Sequence, residues 1–96
     1  MLVYAGMGDD QLQHVLRFFK SLADASRLRM LGVLAAGERS VDELATLLDL
    51  RPPTVSHHLA ILRELGVVSM RPEGNVYLYR LLLHLAQSVY WRSEAR

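Results

Sequence analysis

Apolar positions along the chain recur at helical spacing, switch once to alternation, and then return to helical spacing. Leu12, Val15, Leu16 and Phe19 stand at i, i+3, i+4 and i+7 behind Asp9 and Asp10, whose carboxylates suit the positive end of a helix. A first helix is therefore predicted over about 9–21. Asp24 is a suitable N-cap for a second helix over 25–36, with Leu28, Leu31, Leu34 and Ala35 as its buried stripe and Gly37 as a left-handed stop. Ser40 and Glu43 form a capping box ahead of a short third helix that ends near Leu48 and carries Leu44, Leu47 and Leu48 on one face. Pro52 and Pro53 lack the N–H that a helix interior needs, so they begin a fourth helix, which ends before Gly66 and turns Val55, Leu59 and Leu62 inward.

After Gly66 the period changes. The run 67–71, a turn over Pro72, Glu73, Gly74 and Asn75, and the run 76–80 predict a two-stranded hairpin. Tyr77 and Tyr79 alternate with Val76 and Leu78 and are read as packing residues. Residues 81–92 return to helical spacing through Leu82, Leu85, Ala86 and Val89. The fold class is thus mainly α with a small β-hairpin, in the order α-α-α-α-β-β-α. Two short helices joined by the tight Asp49-Leu50-Arg51 connection, with a hairpin immediately after, describe a winged helix-turn-helix.

A chain of 96 residues makes one domain, here 1–96, with residues 1–8 expected to be flexible. The absence of Cys excludes disulfides and thiolate metal sites within this polypeptide. No apolar run approaches the roughly 20 residues of a membrane helix, and the first residues lack a signal peptide's pattern, so a cytoplasmic protein without a membrane partner is expected. A longer parent carrying a further effector domain stays open. The formal net charge of +1 is unevenly spread: residues 1–50 sum to −2, residues 51–80 to +2 and residues 81–96 to +1. Ten of the eleven cations are Arg, whose planar fork suits phosphate and guanine.

If the fourth helix buries Val55, Leu59 and Leu62, then Pro53, Thr54, Ser56, His57 and Arg63, with His58 beside them, lie on or near its outer face. Hydroxyl, imidazole and guanidinium groups can bond base edges and phosphates, and a helix N-terminus adds partial positive charge. A plain solvated face would look the same by composition. Residues 22–80 resemble the ArsR/SmtB family of winged-helix repressors. The resemblance lies in 22–31 (LADASRLRML) and more specifically in 54–68 (TVSHHLAILRELGVV). It implies a dimeric transcriptional regulator, a repressor of double-stranded DNA at a near-palindromic operator, released by an effector. It assigns DNA contacts to Thr54, Ser56, His57 and Arg63, and it favours Arg71 and Asn75 on the wing.

The terminal helices offer more apolar surface than so small a core can cover. Leu12, Val15, Leu16 and Phe19, with Leu82, Leu85, Val89 and Tyr90, are therefore expected to bury against a second copy. For metals, adjacent His57 and His58 point about 100° apart and cannot share an intrahelical site. Asp10, His14 and His84 are the remaining ligand set, but the last-helix pattern that the family commonly uses is broken at Leu82 and Trp91, so neither a metal nor another cofactor is expected. An enzyme is disfavoured because no phosphate loop, HExxH pair or nucleophile elbow is present. The competing reading is a winged-helix interaction module, or a DNA-binding subunit that relies on a separate co-regulator protein for sensing.

Overall fold

The computed structural model describes Gly6 and residues 8–82. Over that span four helices precede an antiparallel hairpin: α1 (Asp9–Leu22), α2 (Ala25–Ala36), α3 (Val41–Leu48), α4 (Pro52–Glu64), β1 (Val68–Glu73) and β2 (Val76–Leu81). The helix starts follow local chemistry. Gly8 N–H donates to Gln11 Oε1 (3.0 Å) ahead of α1, and Asp24 Oδ1 accepts from Arg27 N–H (3.0 Å) ahead of α2. Before α3, Ser40 Oγ accepts from Glu43 N–H (3.2 Å) while Glu43 Oε1 accepts from Ser40 N–H (2.8 Å), so two otherwise orphaned donors are satisfied reciprocally.

Two helix ends depart from expectation. Gly37 follows α2 but is extended (φ 159°, ψ 169°) rather than left-handed, because the chain runs straight on into a bridge with the hairpin. Arg39 N–H donates to the Tyr79 carbonyl (3.1 Å) and Tyr79 N–H to the Arg39 carbonyl (2.8 Å). One residue of the α2–α3 connection thereby acts as a third strand, which no local pattern around Arg39 announces. The left-handed stop belongs instead to Asp49 (φ 54°, ψ 50°), which ends α3 and turns the chain toward α4. Asp tolerates this conformation better than most residues because its short side chain bonds locally.

The core is formed by Met30 and Leu34 of α2, Leu44 of α3, and Val55, Leu59 and Leu62 of α4, closed by Val67, Val68 and Leu81 from the hairpin. No polar or charged residue among those described is buried. The expected face of α2 is rotated: Met30 is buried and Leu28 exposed. Met30, Leu31, Leu34 and Ala35 share one side of the helix, whereas Leu28 lies about 200° from Met30. On α3 the buried set is Leu44 and Ala45 with Val41 and Leu48 half-buried, and Leu47 is exposed, since 41, 44, 45 and 48 form the i, i+3, i+4, i+7 row. Helix α1 has no fully buried side chain and rests on the core through Phe18 and Leu22.

The hairpin pairs Val68 with Leu81 through to Glu73 with Val76, so the connection is only Gly74-Asn75 and Pro72 lies in strand β1 opposite Tyr77. Gly74 has positive φ (61°) and Asn75 does not, the pattern of a type II′ turn. Leu81, expected to open the last helix, instead ends β2 and is buried, and Leu82 N–H donates to the Val67 carbonyl (2.9 Å). The rest of the predicted last helix, including Leu85, Val89 and Tyr90, lies outside the described residues.

Candidate nucleic-acid interface

Helix α4 divides cleanly into two sides. Val55, Leu59 and Leu62 have no exposed surface, whereas Pro53, Thr54, Ser56, His57 and Arg63 are all exposed. At about 100° per residue, Pro53 and His57 point directly away from the core, Ser56 and Arg63 flank them on one side, and Thr54 lies on the other. The five helix residues expected from the sequence therefore share one presenting surface. A cleft between α4 and β1, lined by His57, Ala60, Arg63, Glu64, Ser69 and Met70, continues that surface toward the hairpin. Glu64 offsets the charge of neighbouring Arg63 at the C-terminal end of the face.

His58 is resolved as structural. Its Nδ1 accepts from Arg27 Nε (3.2 Å), and Arg27 Nη1 donates to the Ser21 carbonyl (2.7 Å), which ties α4 to the α1–α2 corner. Asp24, in the same corner, is held below the usual carboxylate range, first by the backbone N–H of Arg27 and then by the nearby positive charge. The helix start also differs from expectation. Pro52 and Pro53 have no N–H, and Thr54 N–H is bonded to the Arg51 carbonyl (3.0 Å), so the first three helical residues offer no free backbone donor to an anion.

On the wing, Asn75 is exposed at the tip and Tyr77 is also exposed (53%), while Tyr79 packs against the core. Tyr77 thus departs from the packing role read for both tyrosines, because it lies beyond the span of β2 that covers the core. Arg71 is exposed but committed. Its Nη2 and Nε donate to Glu38 (2.9 and 3.0 Å) and its Nη1 to Glu73 (2.5 Å). These bonds hold Glu38 below the usual carboxylate range and push the guanidinium further toward its charged form. Arg80 Nε donates to Ser69 Oγ (3.2 Å).

Two residues on this surface are absent from the sequence reading. Ala60 is exposed one turn beyond His57 and carries no polar group to draw notice, although its helical position places it there. Arg51, immediately before the two prolines, is exposed and makes no side-chain capping bond. Its signal was membership of the basic segment. Elsewhere, Asp10 and His14 lie beside one shallow depression on exposed α1; no third ligand joins them among the described residues, and His84 lies outside those residues.

Comparison with known proteins agrees with this geometry. Residues 24–70 match the family model described as bacterial regulatory protein, arsR family. The chain is 48% identical over 62 residues to the biofilm growth-associated repressor of Agrobacterium fabrum, a match covering 65% of this chain and 53% of that protein. It is 45% identical over 73 residues to the HTH-type transcriptional regulator KmtR of Mycobacterium tuberculosis, covering 76% and 56% respectively. It therefore spans little more than half the length of these curated relatives. Among solved structures, the homodimeric winged helix-turn-helix DNA-binding domain of Mb0332 from Mycobacterium bovis superposes with a TM-score of 0.74 at 33% identity, over 95% of this chain and 87% of that one. The matched residues run from the cap of α2 through the helix-turn-helix into β1, and the chain belongs to the ArsR family of bacterial regulatory proteins.

Proposed function

We propose that this protein is a homodimeric transcriptional repressor that reads a near-palindromic duplex operator, with α4 in the major groove and the β1–β2 hairpin as a wing along the backbone. The observation that carries the reading is the two-sidedness of α4: its aliphatic side is sealed into the core, and Thr54, Ser56, His57 and Arg63 stand together in solvent. A helix fixed in this way can place side chains against base edges without reorganising, which is what direct readout requires. Pro53 rests at the leading tip. Asn75 is the wing's contact, and Arg71 joins it when a phosphate displaces Glu38, one anion exchanging for another.

Dimerisation follows from the apolar surface left uncovered. Leu16 (39%), Phe19 (61%) and Leu82 (44%) are exposed, beside half-buried Leu12 and Val15, and a second copy is their partner in this reading. Two copies would set their α4 helices about one DNA turn apart, roughly 34 Å. The site of action is the cytoplasm; no helix among the described residues is long and apolar enough to cross a membrane.

The test is selection of duplexes from a random pool by the purified protein, followed by affinity measurements on the selected sequence and its single-base variants. His57→Ala and Ser56→Ala are each expected to relax preference at one base position, by about 1–3 kcal/mol. Equal losses on selected and random duplexes for both variants would count against base reading.

A further inference from the structure

The basic segment 51–80 contains four arginines, and the fold treats them differently. Arg71 is held by Glu38 and Glu73, and Arg80 donates to Ser69. Arg51 and Arg63, at the two ends of α4, are exposed, and their guanidinium groups have no hydrogen-bond or ion-pair partner among the described residues. At the N-terminal end this matters, because the backbone cannot do what helix starts usually do for an anion. Pro52 and Pro53 supply no N–H, and the Thr54 N–H is already bonded to the Arg51 carbonyl. A phosphate approaching the tip of α4 meets no free backbone donor from the first three helical residues, and the charged donor there is the guanidinium of Arg51, beside the Thr54 hydroxyl.

We infer that Arg51 is the phosphate anchor at the leading end of α4, taking the place of the backbone donors that the two prolines remove. The inference rests on the proposed DNA-binding function and specifies which charge fixes the helix in the groove. Arg51 and Arg63 are twelve residues apart, about 18 Å along the axis at 1.5 Å per residue, too far to share a phosphate. Each therefore releases its own counterions, and their contributions add. Arg51 orients the helix without reading a base, so it sets affinity for every duplex equally.

The test is the salt dependence of binding to a dye-labelled duplex of random sequence, between about 50 and 200 mM NaCl. Arg51→Gln is expected to reduce the slope of log K against log salt by about 0.9, Arg63→Gln by a similar amount, and the double variant by about 1.8. Arg51→Lys restores the slope, because it keeps the charge while losing the planar fork. Arg51→Gln should melt with the parent protein, since the side chain it removes is exposed and unbonded. An Arg51→Gln slope equal to the parent's, or a loss that Lys does not restore, overturns the inference while leaving DNA binding intact. A parent protein whose affinity for any duplex is insensitive to salt overturns the proposed function itself, so the two failures are distinguishable.

Discussion

At the residue scale the two sides of α4 make opposite predictions. Leu59 and Leu62 have no exposed surface, so Leu59→Ala leaves a cavity and costs about 2–5 kcal/mol in denaturant unfolding. His57→Ala, two residues from Leu59 but on the opposite, solvent-facing side, changes stability by less than about 0.5 kcal/mol. Asp49 supplies a backbone test. Asp49→Val forces a β-branched side chain into a left-handed conformation and costs about 1–2 kcal/mol, whereas Asp49→Gly relieves the strain and holds or raises the unfolding midpoint. Acid sensitivity has a definite sign. Asp24 and Glu38 have lowered pKa values, by backbone bonding from Arg27 and side-chain bonding from Arg71, so folding favours their ionised forms. Their contribution is present above the ordinary carboxylate range and is lost as pH falls through the lowered folded values. Asp24→Asn still caps α2 but does not titrate, so a series of thermal midpoints against pH should show a shallower acid limb in this variant.

At the element scale, what was legible in the sequence was whatever local chemistry decides. Asp24, Ser40 with Glu43, and the two prolines fixed three helix starts to within a residue of their observed positions; the turn read over residues 72–75 located the hairpin, although Pro72 and Glu73 belong to β1. The inward side of α4 was equally plain, because Val55, Leu59 and Leu62 follow a single 3.6-residue row. The faces of α2 and α3 were less so: a run of leucines offers more than one apolar row, and only tertiary packing chose Met30 over Leu28 and Ala45 over Leu47. Interactions between distant segments were not visible at all. The Arg39–Tyr79 bridge joins residues 40 apart, and Arg71 is engaged by Glu38 from across the α2–α3 connection. The same holds for Arg27 with His58, which links the start of α2 to the middle of α4. Removing that link by Arg27→Ala should cost about 1–2 kcal/mol and raise hydrogen exchange in the first turns of α4, since part-buried bonds are lost at both partners.

At the scale of the whole molecule, the described chain is a sealed core with an apolar face of α1 left in water. Phe18 and Leu22 dock α1, and Phe18 meets Phe19 edge to face with centroids 5.5 Å apart, but Phe19 itself turns outward with Leu16. An apolar helix face of this kind carries a free-energy penalty in the monomer that a second copy would remove in the proposed dimer, while the core is untouched by the exchange. Mutations on it should therefore separate assembly from folding. Phe19→Glu introduces a charge where the side chain is 61% exposed, so the monomer should still unfold cooperatively with little loss of its own stability. In the proposed dimer the same charge would be buried without a partner, which is strongly unfavourable. Sedimentation at micromolar concentration is expected to show the parent protein as a dimer and Phe19→Glu as a monomer. On DNA the monomer should retain contact with one half-site but lose the gain from linking two α4 helices, so its preference for a palindromic duplex over a single half-site disappears. A Phe19→Glu protein that sediments with the parent would place the dimer face elsewhere, and one that unfolds outright would show that α1 needs its partner in order to fold.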